Sequence, residues 1–129
     1  MSVKTWREEA FPKGTERYVF KGMSDVEALE SAMQKWQMLK PENLEKHNLV
    51  HYLDEVREHG NIEVSHTFGA SYCALCVKYE TYMGTLNCRA CPLINCNKQY
   101  AHFVETGDPQ PMLGLISEKL DLKLKEIYD

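Results

Sequence analysis

The 129-residue chain has no long apolar segment. No run approaches the roughly 18 consecutive apolar residues that a membrane-spanning helix needs. The polar start MSVKTWREEAFPKG has no apolar core of the kind that marks a secretory signal peptide. These absences predict a cytoplasmic protein without a membrane partner. Thiols stay reduced in that compartment, so cysteine pairs there bind metal more often than they bind each other.

Dense positive charge and the common catalytic motifs are also absent. The net charge is −4, and no stretch is rich enough in Lys and Arg to form a typical phosphate-binding face. Only residues 73–104 carry an excess of basic residues, namely Lys78, Arg89 and Lys98 against one acid. The chain has no Gly-rich phosphate loop, no Gly-x-Ser-x-Gly and no paired acid–base constellation. A nucleic-acid site is therefore disfavoured but not excluded, and those three cations are its candidate residues.

The first strong secondary-structure signal lies about 24 residues into the chain. We expect residues 1–23 to be irregular, with RYVF at 17–20 as a short strand. Ser24 and Glu27 then form a capping-box pattern, which marks a helix N-terminus. Apolar residues recur every three to four positions from there to Lys40, so this segment is predicted to be an amphipathic helix.

A second helix is predicted directly after the first. Pro41 breaks the preceding helix and can serve as an early residue of the next, about 42–59. Apolar residues fall near one side of this segment, and Gly60 is a natural C-terminus. Residues 24–60 are therefore predicted to form a helical hairpin. The alternation in IEVSHTF, residues 62–68, predicts a short strand after it.

The end of the chain carries two further helix signals. KQYAHFVET, residues 98–106, reads as a helix that Gly107 closes. Asp108 is a suitable N-cap, and Pro109 is favourable at the first helical position. Leucine and isoleucine then recur at helical spacing, which predicts a C-terminal amphipathic helix over residues 108–128.

Five cysteines lie close together in the second half of the chain. Cys73-x2-Cys76 and Cys88-x2-Cys91 are two CxxC pairs, and Cys96 follows them. A CxxC turn aims two sulfurs at one cation, and two such turns supply the tetrahedral thiolate shell that Zn²⁺ prefers. The spacing predicts a structural Zn²⁺ site made by these four residues, with Cys96 as a substitute ligand. A closed four-sulfur site has no open position for water and contributes folding free energy.

Other uses of the thiols stay open. An iron–sulfur cluster is the metal rival, because CxxCP strings occur in ferredoxin-type loops, although the denser CxxCxxC spacing is absent here. Free or redox-active thiols come next, and disulfides come last. His102, six residues after Cys96, is a candidate to replace a cysteine as the fourth ligand.

Two catalytic zinc motifs do not fit the sequence. No His-x-Glu precedes a Pro-Cys-x-x-Cys, the combination that nucleobase deaminases require. In HNLVH, His47 and His51 would lie one turn apart on the predicted second helix. Asn48 stands where a metalloprotease has its Glu base. We interpret the two histidines as part of a solvated helix face, and His47, His51 and Glu55 as a less favoured metal set.

Together these patterns predict a mainly α fold, with α+β as the alternative. We expect a single domain, residues 1–129, with about four to five helices around a cysteine-rich zinc module at residues 73–104. The strand signals allow at most one short hairpin. The size of the chain suffices for one hydrophobic core.

The stretches SAMQKWQML, CALC, CRACPLINC and TGDPQPML follow one another within residues 24–120. In this combination they resemble a group of small proteins encoded by bacteriophages and prophages. The resemblance implies zinc binding through the cysteines and a bacteriophage origin, and it implies no particular activity. In that group the last cysteine often lies further from the CxxCP pair than Cys96 lies from Cys91 here.

The sequence therefore favours a non-enzymatic, zinc-stabilised accessory protein that binds a macromolecular partner. We expect a host or defence protein as the partner. Inhibition of a host enzyme that handles nucleic acid is a concrete form of this, because an acidic surface can occupy a site made for nucleic acid. The alternative is a zinc-module regulator that binds nucleic acid through Lys78, Arg89 and Lys98. The second alternative is a redox or iron–sulfur protein.

Overall fold

The computed structural model describes residues 3–52, 55–67, 74–78 and 96–128. The helices are α1 (Val3–Ala10), α2 (Arg17–Lys21), α3 (Asp25–Gln37), α4 (Pro41–Lys46), α5 (Ala74–Lys78), α6 (Asn97–Thr106) and α7 (Gln110–Tyr128). The strands are β1 (Leu49–Tyr52), β2 (Glu55–Glu58) and β3 (Asn61–Thr67). Helical residues predominate, so the prediction of a mainly α domain is confirmed.

The start of the chain is helical, and the expectation of an irregular lead-in is wrong. Val3, Trp6 and Ala10 have the i, i+3, i+7 spacing of one helix face, and all three are buried. The indole N–H of Trp6 donates to the main-chain carbonyl of Met38 at 2.8 Å, next to the end of α3. This bond satisfies one of the carbonyls that a helix C-terminus leaves open. Helix α1 is thus fixed by its contact with α3.

The predicted strand at RYVF is wrong as well, since these residues form most of α2. Phe20 is fully buried and its ring meets Phe11 edge-on at 6.3 Å, whereas Tyr18 is 77% exposed. The turn closes through the N–H of Gly22, which donates to the carbonyl of Tyr18 at 3.1 Å. Burial of Phe20 decides the conformation here, because tertiary contacts override the strand preference of Tyr, Val and Phe.

Helix α3 begins as the sequence predicts. The Ser24 hydroxyl accepts from the N–H of Glu27 at 3.1 Å, and the Glu27 carboxylate accepts from the N–H of Ser24 at 3.2 Å. These bonds form the predicted capping box. They hold the pKa of Glu27 below its usual value, chiefly through the Ser24 main chain. The buried face of α3 packs against α1, α5 and α7, so this helix is the centre of the core.

The predicted helical hairpin at residues 24–60 is wrong beyond α4. Asn48 has a φ of +57°, a left-handed conformation that asparagine tolerates, and its N–H donates to the carbonyl of Glu45 at 3.0 Å. This conformation ends α4. In the strands that follow, Leu49 is buried and Val50 is exposed, which is the two-residue period of a sheet. The apolar residues of this short segment also fit one face of a helix. The pairing of β1 with β2 shows that the segment is a strand.

The strands form an antiparallel sheet in the order β1-β2-β3. Leu49 pairs with Glu58 and Tyr52 pairs with Glu55, so β1 and β2 are a hairpin that β3 extends. The strand predicted at residues 62–68 is confirmed as β3. Gly60, the predicted helix end, has a φ of +85° and lies in the turn between β2 and β3 instead.

The last two helices match the sequence prediction. Gly107 has a φ of +75°, and its N–H donates to the carbonyl of Phe103 at 2.7 Å, which closes α6. The Asp108 carboxylate accepts from the N–H of Gln110 at 3.1 Å and caps α7. This main-chain bond is the largest cause that lowers the pKa of Asp108 below its usual value, and the His102 side chain is the second.

The hydrophobic core joins every helix to the sheet. Trp6, Leu29, Leu39, Val56, Leu75, Phe103 and Ile116 have essentially no exposed surface. They come from α1, α3, the α3–α4 connection, β2, α5, α6 and α7 in turn. Within the described residues, no helix is both long enough and apolar enough to cross a membrane.

Candidate metal centre

The structure describes two of the five cysteine positions. Cys76 lies in α5, where its backbone but not its side chain is described, and Cys96 directly precedes α6. The other predicted ligands, Cys73, Cys88 and Cys91, lie outside the described residues. The candidate centre can therefore be examined at the two helices that carry Cys76 and Cys96.

Helix α5, which contains the backbone of Cys76, packs against the core. Leu75 and Val77, on either side of Cys76, are both buried, and α5 packs against α2 and α3. The ammonium group of Lys78 donates to the main-chain carbonyl of Met23 at 2.7 Å, which ties the end of α5 to the start of α3. The backbone that carries Cys76 is thus fixed by apolar burial on both sides and by a charged hydrogen bond at its end.

Helix α6 holds Cys96 against the same core. The carbonyl of Cys96 accepts from the N–H of Tyr100 at 3.0 Å, and its half-buried side chain packs on the hydrophobic cluster. The rings of Tyr100 and Phe103 meet Trp36 of α3 edge-on, with centroids 6.1 and 5.2 Å from the indole. Such perpendicular contacts are favourable between aromatic rings. Cys96 therefore sits at the start of a helix that is anchored on α3.

Residues 79–95, the cysteine segment, contain Cys88 and Cys91, and the helices on both sides of this segment are attached to α3. Helix α5 packs on α3 before residues 79–95, and α6 packs on Trp36 of α3 after them. A cross-link within this segment would act on a stretch of chain whose two ends are already held at the core. Closing such a stretch removes conformational freedom from the unfolded chain, which is how a structural metal stabilises a small domain.

The less favoured metal set of His47, His51 and Glu55 is not assembled. His47 follows the end of α4 and is only 2% exposed, whereas His51 lies on β1 with its ring 4.6 Å from that of Phe103. The solvated helix face expected for both histidines is wrong, because the segment is a helix end followed by a strand. In the part of the chain that the structure describes, no three His, Cys, Asp or Glu side chains are placed to hold a metal ion.

His47 instead joins α1 to α4, a role that the sequence did not reveal. Its Nδ1 lies 2.9 Å from the hydroxyl of Thr5, and its Nε2 lies 3.3 Å from a carboxylate oxygen of Glu9. The second approach is close but is not a well-aligned hydrogen bond. Thr5 and Glu9 are four residues apart on one face of α1. This spacing is the feature of the sequence from which a shared polar partner could have been inferred. The pKa of Glu9 is held below its usual value mainly by the His47 side chain and secondly by Lys46.

His102 lies on α6 with an acidic neighbour. Its Nε2 is 3.3 Å from a carboxylate oxygen of Asp108, and both side chains are nearly half exposed. The pair links α6 to the cap of α7. The prediction that His102 serves as a fourth metal ligand stays a prediction, since three of the cysteines that it would join lie outside the described residues.

The candidate nucleic-acid residues are not presented by one element. Lys78 is on α5, with its ammonium group bonded to the carbonyl of Met23, and Lys98 is exposed on α6. Arg89 lies outside the described residues. An ammonium group has three N–H donors, so the bond to Met23 fixes the position of Lys78 without excluding a further contact. The two described candidates lie on separate helices, and the nucleic-acid site stays a prediction.

Comparisons with known proteins give no match to this chain. No family model matches the sequence, and no match was found among the curated proteins or the solved structures.

Proposed function

We propose that the chain is a non-enzymatic, zinc-stabilised accessory protein of bacteriophage type that acts by binding a protein partner. The observation that carries the proposal is that α5, which carries Cys76, and α6, which follows Cys88, Cys91 and Cys96 in the chain, both pack on α3. A metal placed there completes the core and serves no open catalytic position. Its contribution is folding free energy, which a small domain with short helices needs.

The proposed ligands are Cys73, Cys76, Cys88 and Cys91. Two CxxC pairs fill the tetrahedral shell of Zn²⁺ without a fifth sulfur. Cys96 lies outside both pairs, and its half-buried side chain packs on the hydrophobic cluster just before α6. Cys96 is therefore the spare thiol of the five in this proposal.

The partner is proposed to be a host or defence protein. The net charge of −4 favours a partner with a basic surface and disfavours direct contact with phosphates. A concrete form is inhibition of an enzyme that handles nucleic acid, whose basic site an acidic protein can occupy. The same net charge gives the regulator that binds nucleic acid directly less support.

A capture experiment from bacterial lysate tests the proposal. The tagged chain serves as bait, with and without nuclease treatment, and washes use about 0.1 M and about 0.4 M salt. We expect one protein to be enriched in comparable molar amount with the bait in both nuclease arms. A bait carrying Cys76→Ala is expected to lose it, because the metal module no longer forms.

The other results would contradict the proposal in distinguishable ways. Enrichment of nucleic acid that falls steeply with salt would favour the regulator. A coloured bait with visible absorbance would favour the iron–sulfur protein. Repeated capture of no protein above the Cys76→Ala background would overturn partner binding altogether.

A further inference from the structure

Helix α3 carries a lysine inside the hydrophobic core. Lys35 is only 2% exposed, and it lies on the helix face that also buries Ala28, Ala32 and Trp36. Lysine is almost never buried to this extent unless its charge is paired. Because water does not reach this position, the ammonium group needs compensation from within the protein. The buried face of α3 therefore includes a positive charge that the fold must accommodate.

The ammonium group of Lys35 lies beside the ring of Trp36. Its Nζ atom is 5.3 Å from the centroid of that ring, which is a cation–π contact. Tyr100 and Phe103 of α6 meet the same indole edge-on. Tyr100 is four residues after Cys96 and donates its N–H to the Cys96 carbonyl. One indole therefore contacts both the buried ammonium group and the first turns of the helix that follows Cys96.

A cation–π contact does not by itself compensate a buried ammonium group. The ring supplies a quadrupole and no opposite charge, so it offsets only part of the cost of removing the ammonium from water. A centre of four thiolates and one Zn²⁺ has an excess of two negative charges. Groups that surround the ligands of a metal commonly stabilise them by charge or by hydrogen bonds. A buried ammonium group and an anionic metal centre are thus electrostatically complementary.

Burial distinguishes Lys35 from the other described lysines near the cysteines. Helix α5, which contains the backbone of Cys76, packs on α3, the helix of Lys35. Lys78 of α5 is only half-buried and donates to the main-chain carbonyl of Met23. Lys98 is exposed on α6, where water and salt weaken the interactions of its charge. Of these three lysines, Lys35 is the one in the low-dielectric interior, where a charge acts most strongly.

We propose that the ammonium group of Lys35 is the buried counter-charge of the metal centre that the cysteine thiolates form. This inference rests on the proposed function, because it assigns the residue that balances the charge of the proposed zinc site. The ammonium group attracts the thiolate sulfurs and so strengthens metal binding. The metal centre in turn compensates the buried lysine, so metal binding and the packing of α3 are coupled.

Cobalt substitution tests the proposal. The full chain is purified anaerobically and loaded with Co²⁺, whose bonds to thiolates give a sulfur-to-metal charge-transfer band. A cation beside the sulfurs lowers the energy of their lone pairs. We therefore expect the band to move to longer wavelength in Lys35→Met and in Lys35→Gln, which both remove the charge. Two neutral variants are used so that misfolding of one leaves the comparison intact. Lys35→Arg keeps the charge and should keep the band.

Zinc affinity is the second measurement. Competition with a chromophoric chelator gives the Kd for Zn²⁺, which we expect to rise about 10- to 100-fold in the neutral variants. Lys98→Met is the matched control, since it removes an exposed lysine two residues after Cys96, and we expect a change within about twofold. Val56→Ala destabilises the core without removing a charge. It should leave the charge-transfer band in place, which separates an electrostatic effect from a loss of packing.

An unchanged band and an unchanged Kd in the neutral variants would overturn the proposal and assign the charge of Lys35 to another partner, such as a carboxylate. A raised Kd without a band shift would overturn it as well, because Lys35 would then act through packing alone. A wild-type chain that binds neither Co²⁺ nor Zn²⁺ would overturn both this inference and the proposed zinc-stabilised function. A wild type that binds metal, with neutral variants that behave like it, would overturn only the role of Lys35.

Discussion

Glu9 and His47 join two helices that are far apart in the chain, and pH tests this contact. His47 and Lys46 lower the pKa of Glu9 in the folded protein below its ordinary value of 4.5. A lowered pKa means that the ionised carboxylate favours folding. Its stabilisation is complete above the unfolded value and is lost as the pH falls through 4.5 towards the lower folded value.

We therefore expect Glu9→Gln to reduce the loss of thermal stability between about pH 6 and about pH 3.5. Glu8→Gln, at the neighbouring exposed position of α1, is the control and should keep the full loss. The melting temperature, followed by circular dichroism, is the measurement. The same pH dependence in Glu9→Gln and in the wild type would show that the contact contributes nothing.

Trp6 supplies the second tie between distant segments. Trp6→Phe keeps most of the buried ring but removes the indole N–H that donates to Met38. The carbonyl of Met38 then loses its partner in the interior, and we expect a loss of about 1–3 kcal/mol in the free energy of unfolding. Urea denaturation measures it, and Tyr18→Phe, at an exposed ring, should be close to neutral. An unchanged midpoint for Trp6→Phe would contradict the importance of this bond.

The burial of residues in β1 and β2 gives a prediction that tests the strand assignment. Val56 on β2 is fully buried, and Val50 on β1 is partly exposed. Val56→Ala should cost about 2 kcal/mol of unfolding free energy, from lost burial and an unfilled cavity. Val50→Ala should cost less than about 0.5 kcal/mol. Denaturant titrations of both variants test the strand assignment, and equal costs would contradict it.

Elements with strong local end signals could be predicted from the sequence. The capping box at Ser24 and Glu27, the glycine at 107 and the cap at Asp108 each specify a helix end through nearby residues. The hairpin of β1 and β2 could not be predicted this way. Its apolar residues fit either a helical stripe or an alternating strand, and the choice depends on Val56 reaching the core.

The short first helices depend on distant contacts in the same way. Helix α2 is a single turn held by Phe20 against Phe11, and α1 is held through Trp6 against the end of α3. Neither partner is near enough in the chain to appear in a local pattern. The charged network around His47 was missed for the same reason, because its burial arises only when α1 and α4 meet.

For the molecule as a whole, cysteine spacing predicts a set of metal ligands and not the position of that set in the fold. The structure adds that α5 and α6, the helices on either side of residues 79–95, both pack on α3. The sheet could not have been predicted in full, because the sequence did not reveal that β1 and β2 are strands.

We propose that Cys73, Cys76, Cys88 and Cys91 hold one structural zinc and that Cys96 is not needed as a ligand. Metal content per chain, measured on anaerobically purified protein by native mass spectrometry and elemental analysis, tests it most directly. We expect one zinc per chain in the wild type and in Cys96→Ala, and a loss of zinc in Cys76→Ala. Retention of zinc in Cys76→Ala together with its loss in Cys96→Ala, or iron in place of zinc, would contradict the account.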